Sequence, residues 1–329
     1  MKKNSTDQLF TIGFSRMCLS NFLFYASVYL LIPLLPVLLA DSRGFSSSQI
    51  AGLFLTCGVA MLAVGPFHAY LGDTYKRKYV LMAGVVAVAL SLVGMLYAEE
   101  YVQWTGLLAL LGGGLGIAST AGITVAIDIT ASSRRSSGNE AYAWAGRAGM
   151  LVGVLAGILL SPWLDWHELI WLAVGLDALA LLVATRVYVA FRAPIGLPLL
   201  SLDRFFLPRA WVPFLNLWLF SLAAGILLPL FHEWQRGWAL LPLLVLTFGS
   251  TLFTKVFVGL SQHCQRSTAN TTCHLAVDFG ILSGLAFYGW YEAGREPFFF
   301  AETGFAVAAL ALVVYFLATI PYYKKKRVR

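Results

Sequence analysis

Long apolar stretches separated by short polar ones run through the whole chain. They predict ten membrane-spanning helices, near residues 11–40, 47–71, 79–98, 103–130, 140–163, 168–191, 211–231, 238–260, 270–291 and 298–321. Each stretch approaches the roughly 20 residues that an α-helix needs to cross the hydrocarbon core. A helix also satisfies its own backbone polar groups, as lipid requires. We therefore expect an all-α polytopic membrane protein.

Composition places most of the chain in lipid. Of its 329 residues, 59% are hydrophobic and 12% are charged, and the mean hydropathy is +0.76. Such a chain is neither a single-pass receptor nor a soluble enzyme on an anchor. The net charge of +7 does not indicate a nucleic-acid partner, because basic residues in the loops of a membrane protein normally set its orientation.

Lysine and arginine are unevenly distributed between the two sides that the ten spans define. One side holds Lys2, Lys3, Arg16, Lys76, Arg77, Lys78, Arg134, Arg135, Arg186, Arg192, Arg204, Arg209, Arg266, Lys324, Lys325, Lys326, Arg327 and Arg329. The other side holds only Arg43, Arg236 and Arg295. By the positive-inside rule, both termini are then cytoplasmic, in a cell (cytoplasmic or inner) membrane. We interpret the first apolar stretch as a retained helix and not as a signal peptide.

The connection between the sixth and seventh spans differs from the others. Residues 192–209 have the sequence RAPIGLPLLSLDRFFLPR, in which prolines and arginines alternate with apolar side chains. Such a composition is typical of an interfacial segment. We interpret it as a cytoplasmic linker between a six-helix bundle at 1–191 and a shortened four-helix bundle with a basic tail at 210–329.

The two predicted bundles contain a repeat. The sequence Arg-Ser-Ser-Gly-Asn at 135–139 opens the fifth span, and Arg-Ser-Thr-Ala-Asn at 266–270 opens the ninth, at an offset of 131. The same offset relates three pairs inside the membrane, which are Gly149 and Gly280, Gly153 and Gly284, and Arg147 and Asp278. Glycines spaced by four also serve close helix packing alone, but the flanking polar matches favour an internal duplication.

Two motifs resemble signatures of the major facilitator superfamily. Residues 71–78, LGDTYKRK, resemble its loop signature G-x-L-x-D-R-x-G-R-K, with matches at Leu71, Asp73, Arg77 and Lys78 and departures at Ala69, Thr74 and Lys76. The spacing of Gly149, Gly153 and Gly157 resembles the antiporter signature of the superfamily's exporters, with Val154 where proline is usual. The chain thus resembles a transporter of the drug-efflux-like branch.

Members of that superfamily usually have twelve helices in two halves of six. Here about 125 residues separate the start of the first span from Arg135, against about 56 between the start of the seventh span and Arg266. The second half is shorter by roughly 70 residues, enough for two helices with their loops. The resemblance implies a two-bundle fold of 6 + 4 helices and proton-coupled export of a small amphipathic molecule by alternating access.

Four ionisable residues are predicted inside the hydrocarbon region, where a charge needs a partner or a water-filled cavity. They are Arg147, Asp177, His274 and Asp278. Helix geometry places Arg147 and Asp278 roughly 10 Å inside the cytoplasmic ends of their spans, and Asp177 roughly 13 Å from an outer end. We predict that Asp278 is the proton site and that His274, on the same helix face, is a second proton group. The alternative is that Asp278 is a static partner of Arg147.

Two further groups of residues are candidates for transport. Asp73, at the cytoplasmic end of the second span, is expected to accept from the N-terminus of a neighbouring helix and to pair with Arg77 or Lys78, which would stabilise the inward-closed state. The alternative is that these loop charges serve only orientation. The aromatic residues of the first span either line an apolar substrate route or face lipid; they are Phe22, Phe24, Tyr25 and Tyr29.

No sequence motif indicates catalysis, a cofactor or ATP as the energy source. The spacing of His263, Cys264, Cys273 and His274 fits no usual zinc site, so we expect no metal. The expected partners are a small-molecule substrate, protons and the lipid bilayer, and the expected state is a monomer. The alternative is a non-transporting scaffold or sensor, in which Arg147 and Asp278 would lack partners.

Overall fold

A computed structural model describes residues 9–190, 194–230, 240–291 and 297–328 of the chain. The described residues are helical over most of their length. The helices are α1 (Ile12–Leu31), α2 (Leu35–Arg43), α3 (Ser47–Ala63), α4 (His68–Thr74), α5 (Arg77–Met95), α6 (Tyr101–Asp128), α7 (Arg135–Leu160), α8 (Trp166–Thr185), α9 (Trp211–Leu227), α10 (Leu240–Gly259), α11 (Arg266–Tyr291), α12 (Pro297–Val314) and α13 (Ile320–Lys326).

Eight helical segments of the described residues are long and apolar enough to cross a membrane. They are Ile12–Arg43, Ser47–Thr74, Arg77–Met95, Tyr101–Asp128, Ser132–Leu160, Trp166–Thr185, Pro208–Leu227 and Phe298–Lys326. α10 contains a shorter apolar stretch, Leu244–Gly259, and α11 has a polar first half. The chain is a multi-pass helical membrane protein, while the count of ten spans stays a prediction.

Prolines interrupt the first two long helical segments. Pro33 and Pro36 lie at the junction of α1 and α2, and Pro66 lies between α3 and α4. Proline lacks the N–H that donates inside a helix, so the helical hydrogen bonding is broken at these points. At the second break, the ring of Phe205 fills the space beside Gly65, where any Cβ would overlap it. The break thus provides a binding surface for the segment between the bundles.

Glycines allow α7 to lie directly against the backbone of α1. A Cβ at any of three glycines of α7 would overlap a carbonyl oxygen of α1, with Gly149 facing Phe22, Gly153 facing Ala26 and Gly157 facing Leu30. Only a residue without a side chain permits such an approach, which is the packing that G-x-x-x-G spacing favours in membranes.

The second copy of the repeat packs in the same manner. A Cβ at Gly280 would collide with Ser221 of α9 and lie 2.8 Å from the Trp218 carbonyl oxygen, and one at Gly284 would overlap the Leu222 carbonyl oxygen. The glycines of α7 and their counterparts in α11 are 131 residues apart in the sequence. The residues that these glycines contact in α1 and α9 are 196 residues apart, as for Phe22 and Trp218 or Ala26 and Leu222. The second copy therefore has 65 fewer residues between its two helices (196 − 131).

The helices form two groups, α1–α8 and α9–α13, which meet mainly through α3 and α11. This contact is close: a Cβ on Gly58 would lie 3.1 Å from the Phe279 ring, and a Cβ on Gly289 would lie 2.8 Å from the Ile50 side chain. The division at 1–191, 192–209 and 210–329 stays a prediction. Several basic residues counted for orientation lie outside the described residues, namely Lys2, Lys3, Arg192, Arg236, Arg295 and Arg329.

Alanine substitution tests the two glycine contacts. Gly153→Ala and Gly284→Ala are each expected to destabilise the protein by about 1–3 kcal/mol, because the added methyl group would overlap the backbone of α1 or α9. Gly175→Ala in α8 is the matched control, since a Cβ there meets no atom within 4 Å. Thermal unfolding in detergent measures the difference, and equal midpoints for all three variants would contradict the packing.

Candidate functional site

Arg147 of α7 and Asp278 of α11 form an ion pair buried between helices. Arg147 Nη1 lies 3.6 Å from Asp278 Oδ1, and both side chains are 2% exposed. Each residue is twelve positions into its helix, or about 18 Å at the α-helical rise. This is farther from the helix start than the roughly 10 Å predicted, because both helices begin earlier than the predicted spans, in polar turns that hydropathy does not assign to a span.

Two tyrosines of α1 complete the surroundings of the Asp278 carboxylate. The Tyr29 hydroxyl donates to Oδ1 at 2.8 Å, and the Tyr25 hydroxyl donates to Oδ2 at 3.1 Å. The two rings lie one helical turn apart and stack at 6.1 Å between centroids. Neither ring faces lipid, since each residue is 1% exposed. Each carboxylate oxygen thus accepts one hydrogen bond.

His274 lies on the same face of α11, one turn before Asp278. Its Nδ1 atom is 3.3 Å from Arg147 Nη2 and 3.4 Å from the Tyr25 hydroxyl. A guanidinium only donates hydrogen bonds, so Nδ1 acts as an acceptor, which fits a neutral ring with its proton on Nε2. We call Tyr25, Tyr29, Arg147, His274 and Asp278 the central network. None of its members is more than 5% exposed.

Within the described residues, the Arg147 Nη1 donor of the central network has no hydrogen-bond acceptor. Arg147 Nη1 is buried and has no hydrogen-bond partner among the described residues, and its distance to Asp278 exceeds a hydrogen bond. A buried guanidinium N–H without an acceptor is unfavourable. The network can therefore accommodate a further acceptor at this atom.

Asp177 lies apart from the central network. It is in α8 with 0% exposure, and both of its carboxylate oxygens lack a hydrogen-bond partner within the described part of the chain. Ser27 of α1 lies beside it, but the Ser27 hydroxyl donates to the Ala173 carbonyl oxygen at 2.9 Å. Of the four ionisable residues predicted inside the hydrocarbon region, Asp177 is thus the one that lies apart from the other three.

Asp73 contacts the linker instead of its predicted partners. Its carboxylate accepts from the backbone N–H groups of Ile195, Gly196 and Leu197, at 3.1, 2.9 and 3.0 Å. The predicted pairing with Arg77 or Lys78 is wrong, because α4 ends at Thr74 and the chain reverses before these basic residues.

The two basic residues of the loop have other partners. Arg77 forms an ion pair with Asp128 of α6 and donates from Nε to the Gly72 carbonyl oxygen at 3.3 Å. Lys78 Nζ donates to the carbonyl oxygens of Thr185 and Val187, each at 3.0 Å. The loop therefore ties α5 to α6 and to the end of α8.

The linker contacts helices from both sides of the repeat. Toward the first bundle, the Ser201 N–H donates to the Pro66 carbonyl oxygen at 2.9 Å. Toward α11, the Arg204 N–H donates to Thr268 Oγ1 at 3.0 Å and the Leu207 N–H donates to Thr272 Oγ1 at 2.9 Å. The segment thus bridges the two groups of helices at the predicted cytoplasmic side.

Sequence analysis missed the partners that complete these contacts. Tyr25 and Tyr29 carried a usable signal, because a buried tyrosine hydroxyl normally finds a partner and their spacing of four puts both on one helix face. The pairing of Asp128 with Arg77 depends on how α5 and α6 pack, which the local sequence does not show.

Fold and site together define a multi-pass membrane protein whose helix bundles meet around a buried charge network. The family model described as Major Facilitator Superfamily matches residues 17–324. The chain therefore belongs to the major facilitator superfamily. Nothing in the family match distinguishes a drug-efflux branch.

The chain is also similar to individual known proteins, in sequence or in fold. The chain is similar to Protein spinster homolog 1 of Bos taurus, at 27% identity over 172 residues that cover 51% of this chain and 32% of the bovine protein. It thus spans about a third of that relative's length. Its fold resembles the nucleoside transporter NupG, with a TM-score of 0.60 at 12% identity over 96% of this chain and 100% of the other.

A second solved structure gives the same result. It is a bacterial homologue of the human drug peptide transporters PepT1 and PepT2, with a TM-score of 0.61 at 13% identity, over 95% of this chain and 99% of the other. At these identities the likeness shows the fold alone.

A double-mutant cycle tests the buried ion pair. Asp278→Asn leaves the Arg147 charge buried and is expected to destabilise the protein by about 3–5 kcal/mol. Arg147→Met removes the opposite charge, and the double variant is expected to regain much of the loss, because no uncompensated charge remains. Thermal unfolding in detergent gives the coupling. Additive effects of the two single changes would contradict the pairing.

Hydrogen exchange tests the contact between Asp73 and the linker. Asp73→Asn leaves one carbonyl oxygen where two charged oxygens accepted, so the amides of Ile195, Gly196 and Leu197 are expected to exchange several-fold faster. Asp203→Asn is the matched control, since it removes a linker charge without touching these amides. Unchanged exchange in the Asp73 variant, or equal changes in both variants, would rule out the contact.

Proposed function

We propose that this chain is a secondary active transporter that exports a small amphipathic molecule in exchange for protons by alternating access. The central network is the observation that carries the proposal. It joins α1 and α7 to α11 at a buried point about 18 Å along α7 and α11 from their first residues, where a charge is retained only with a partner or a function. Protonation of Asp278 therefore changes the ion pair that joins the two groups of helices.

The proton step follows from the contacts of Asp278. As a carboxylate, it accepts from Tyr25 and Tyr29 and attracts Arg147. A proton on either oxygen removes the negative charge, so the attraction to Arg147 is lost and one oxygen becomes a donor. Tyr25 relays that proton to His274: its hydroxyl gives its own proton to Nδ1 and takes the proton from Asp278 Oδ2, and Arg147 Nη2 releases its contact with Nδ1. Loss of the ion pair lets the two groups of helices separate on one side.

Opening at the predicted cytoplasmic face also requires the linker to release one of its two contact surfaces. The contacts of Asp73 and Ser201 hold it to the first bundle, and those of Arg204 and Leu207 hold it to α11. Movement of α11 away from α3 therefore strains the linker. This matches a latch that stabilises the state closed on that side.

Direction and substrate class rest on resemblance. Export is supported by the similarity of the α7 glycine spacing to the antiporter signature, and an amphipathic substrate by the apolar surroundings of a charged network. The non-transporting alternative predicted Arg147 and Asp278 without partners. Both have partners here, which favours a carrier over a scaffold or sensor.

Proton movement in inside-out vesicles tests the proposal. We expect a panel of lipophilic cations and sugars to contain a compound that drives proton flux in the native protein. Asp278→Asn is expected to lose that flux, because the proton has no carboxylate to bind. Glu140→Gln, which alters a half-buried acid 3.9 Å from Lys255, is the matched control and is expected to keep that flux.

The double variant Arg147→Met with Asp278→Asn separates misfolding from loss of coupling. It is expected to regain stability and still to move no protons. Flux retained in the Asp278 single variant would exclude this residue as the proton site. Absence of flux in the native protein would favour the scaffold or sensor instead.

A further inference from the structure

An apolar groove lies on the outside of the second group of helices. It has a volume of about 420 Å³ and runs between α9, α10 and α12, with walls that include Phe220, Leu246, Gly249, Phe253, Leu312 and Tyr315. Leu252 and Leu312, at 65% and 51% exposed, lie on its lining. Because these helices lie within the membrane, the groove opens toward the acyl chains of the bilayer.

The groove is separate from the central network. None of Tyr25, Tyr29, Arg147, His274 and Asp278 lines it. It lies in the half of the repeat that has 65 fewer residues between its glycine-packed helices.

A cluster of four consecutive basic residues follows one end of the groove along the chain. Val256 lines the groove, and one turn further along α10 the Gly259 carbonyl oxygen accepts from the Val328 N–H at 2.9 Å. On the opposite wall, α12 continues from Tyr315 into α13, where the Tyr322 hydroxyl donates to the Arg209 carbonyl oxygen at 3.0 Å. These bonds position four exposed basic residues beside the groove: Lys324, Lys325, Lys326 and Arg327.

We propose that the groove binds an acyl chain of an anionic phospholipid whose phosphate lies on Lys324–Arg327. An apolar channel at acyl-chain depth that ends at four cations matches the two parts of such a lipid. A second copy of the chain fits poorly, because two copies in the same orientation would bring two rows of four cations together. The proposal does not depend on transport activity.

Native mass spectrometry tests the proposal on the whole protein. Delipidated protein is reconstituted with equimolar phosphatidylglycerol and phosphatidylcholine of identical acyl chains. Gly249→Leu fills the groove, since a Cβ at Gly249 meets no atom within 4 Å, and leucine also favours the helix. Gly175→Leu, at the equally open position in α8, is the matched control. A third variant replaces Lys324, Lys325, Lys326 and Arg327 by glutamine.

The native protein is expected to retain one phosphatidylglycerol, with a preference of about fivefold or more over phosphatidylcholine. Gly249→Leu is expected to lose most of the bound lipid while its thermal midpoint stays at or above the native value, and Gly175→Leu to keep the lipid. The glutamine variant is expected to bind both lipids equally. Three results would overturn the proposal: equal retention by the two leucine variants, no headgroup preference in the native protein, or a dimer mass that disappears in Gly249→Leu.

Discussion

Two opposite charges that must meet inside lipid set the arrangement of the helices. Arg147 and Asp278 lie in different helices, and neither is tolerated at that depth without the other. Their distance depends on how closely α7 and α11 approach α1 and α9, and that approach depends on glycines whose replacement would drive side chains into backbone. Tyr25 and Tyr29 can donate to Asp278 only because α1 is held in this position.

α11 connects the contacts on which the proposed mechanism depends. Thr268 and Thr272 bind the linker near one end, His274 and Asp278 belong to the central network, and Gly280 and Gly284 lie against α9. Further along, Gly289 meets α3. A displacement of α11 therefore alters the linker contacts and the ion pair together. In the proposed mechanism, this couples protonation of Asp278 to the contacts of the linker.

Some of this could be predicted from sequence, and some could not. Apolar length predicted a multi-pass helical protein, and the offset of 131 identified glycines that the structure places in equivalent contacts. The need of buried charges for partners identified Arg147, His274 and Asp278. The starts of α7 and α11 were predicted too late, because hydropathy does not assign their polar first turns to a span. The binding of Asp73 to the linker depends on the path of an irregular segment, for which hydrophobic periodicity gives no signal.

The ion pair has a consequence for how such a chain can arise. Arg147 and Asp278 occupy equivalent positions of two copies of one repeat and meet each other across the boundary between them. In an assembly of two identical subunits, both positions carry the same residue, so an arginine or an aspartate there would face a like charge. Opposite charges at these two positions require that the copies differ in sequence, which is open only to copies encoded separately.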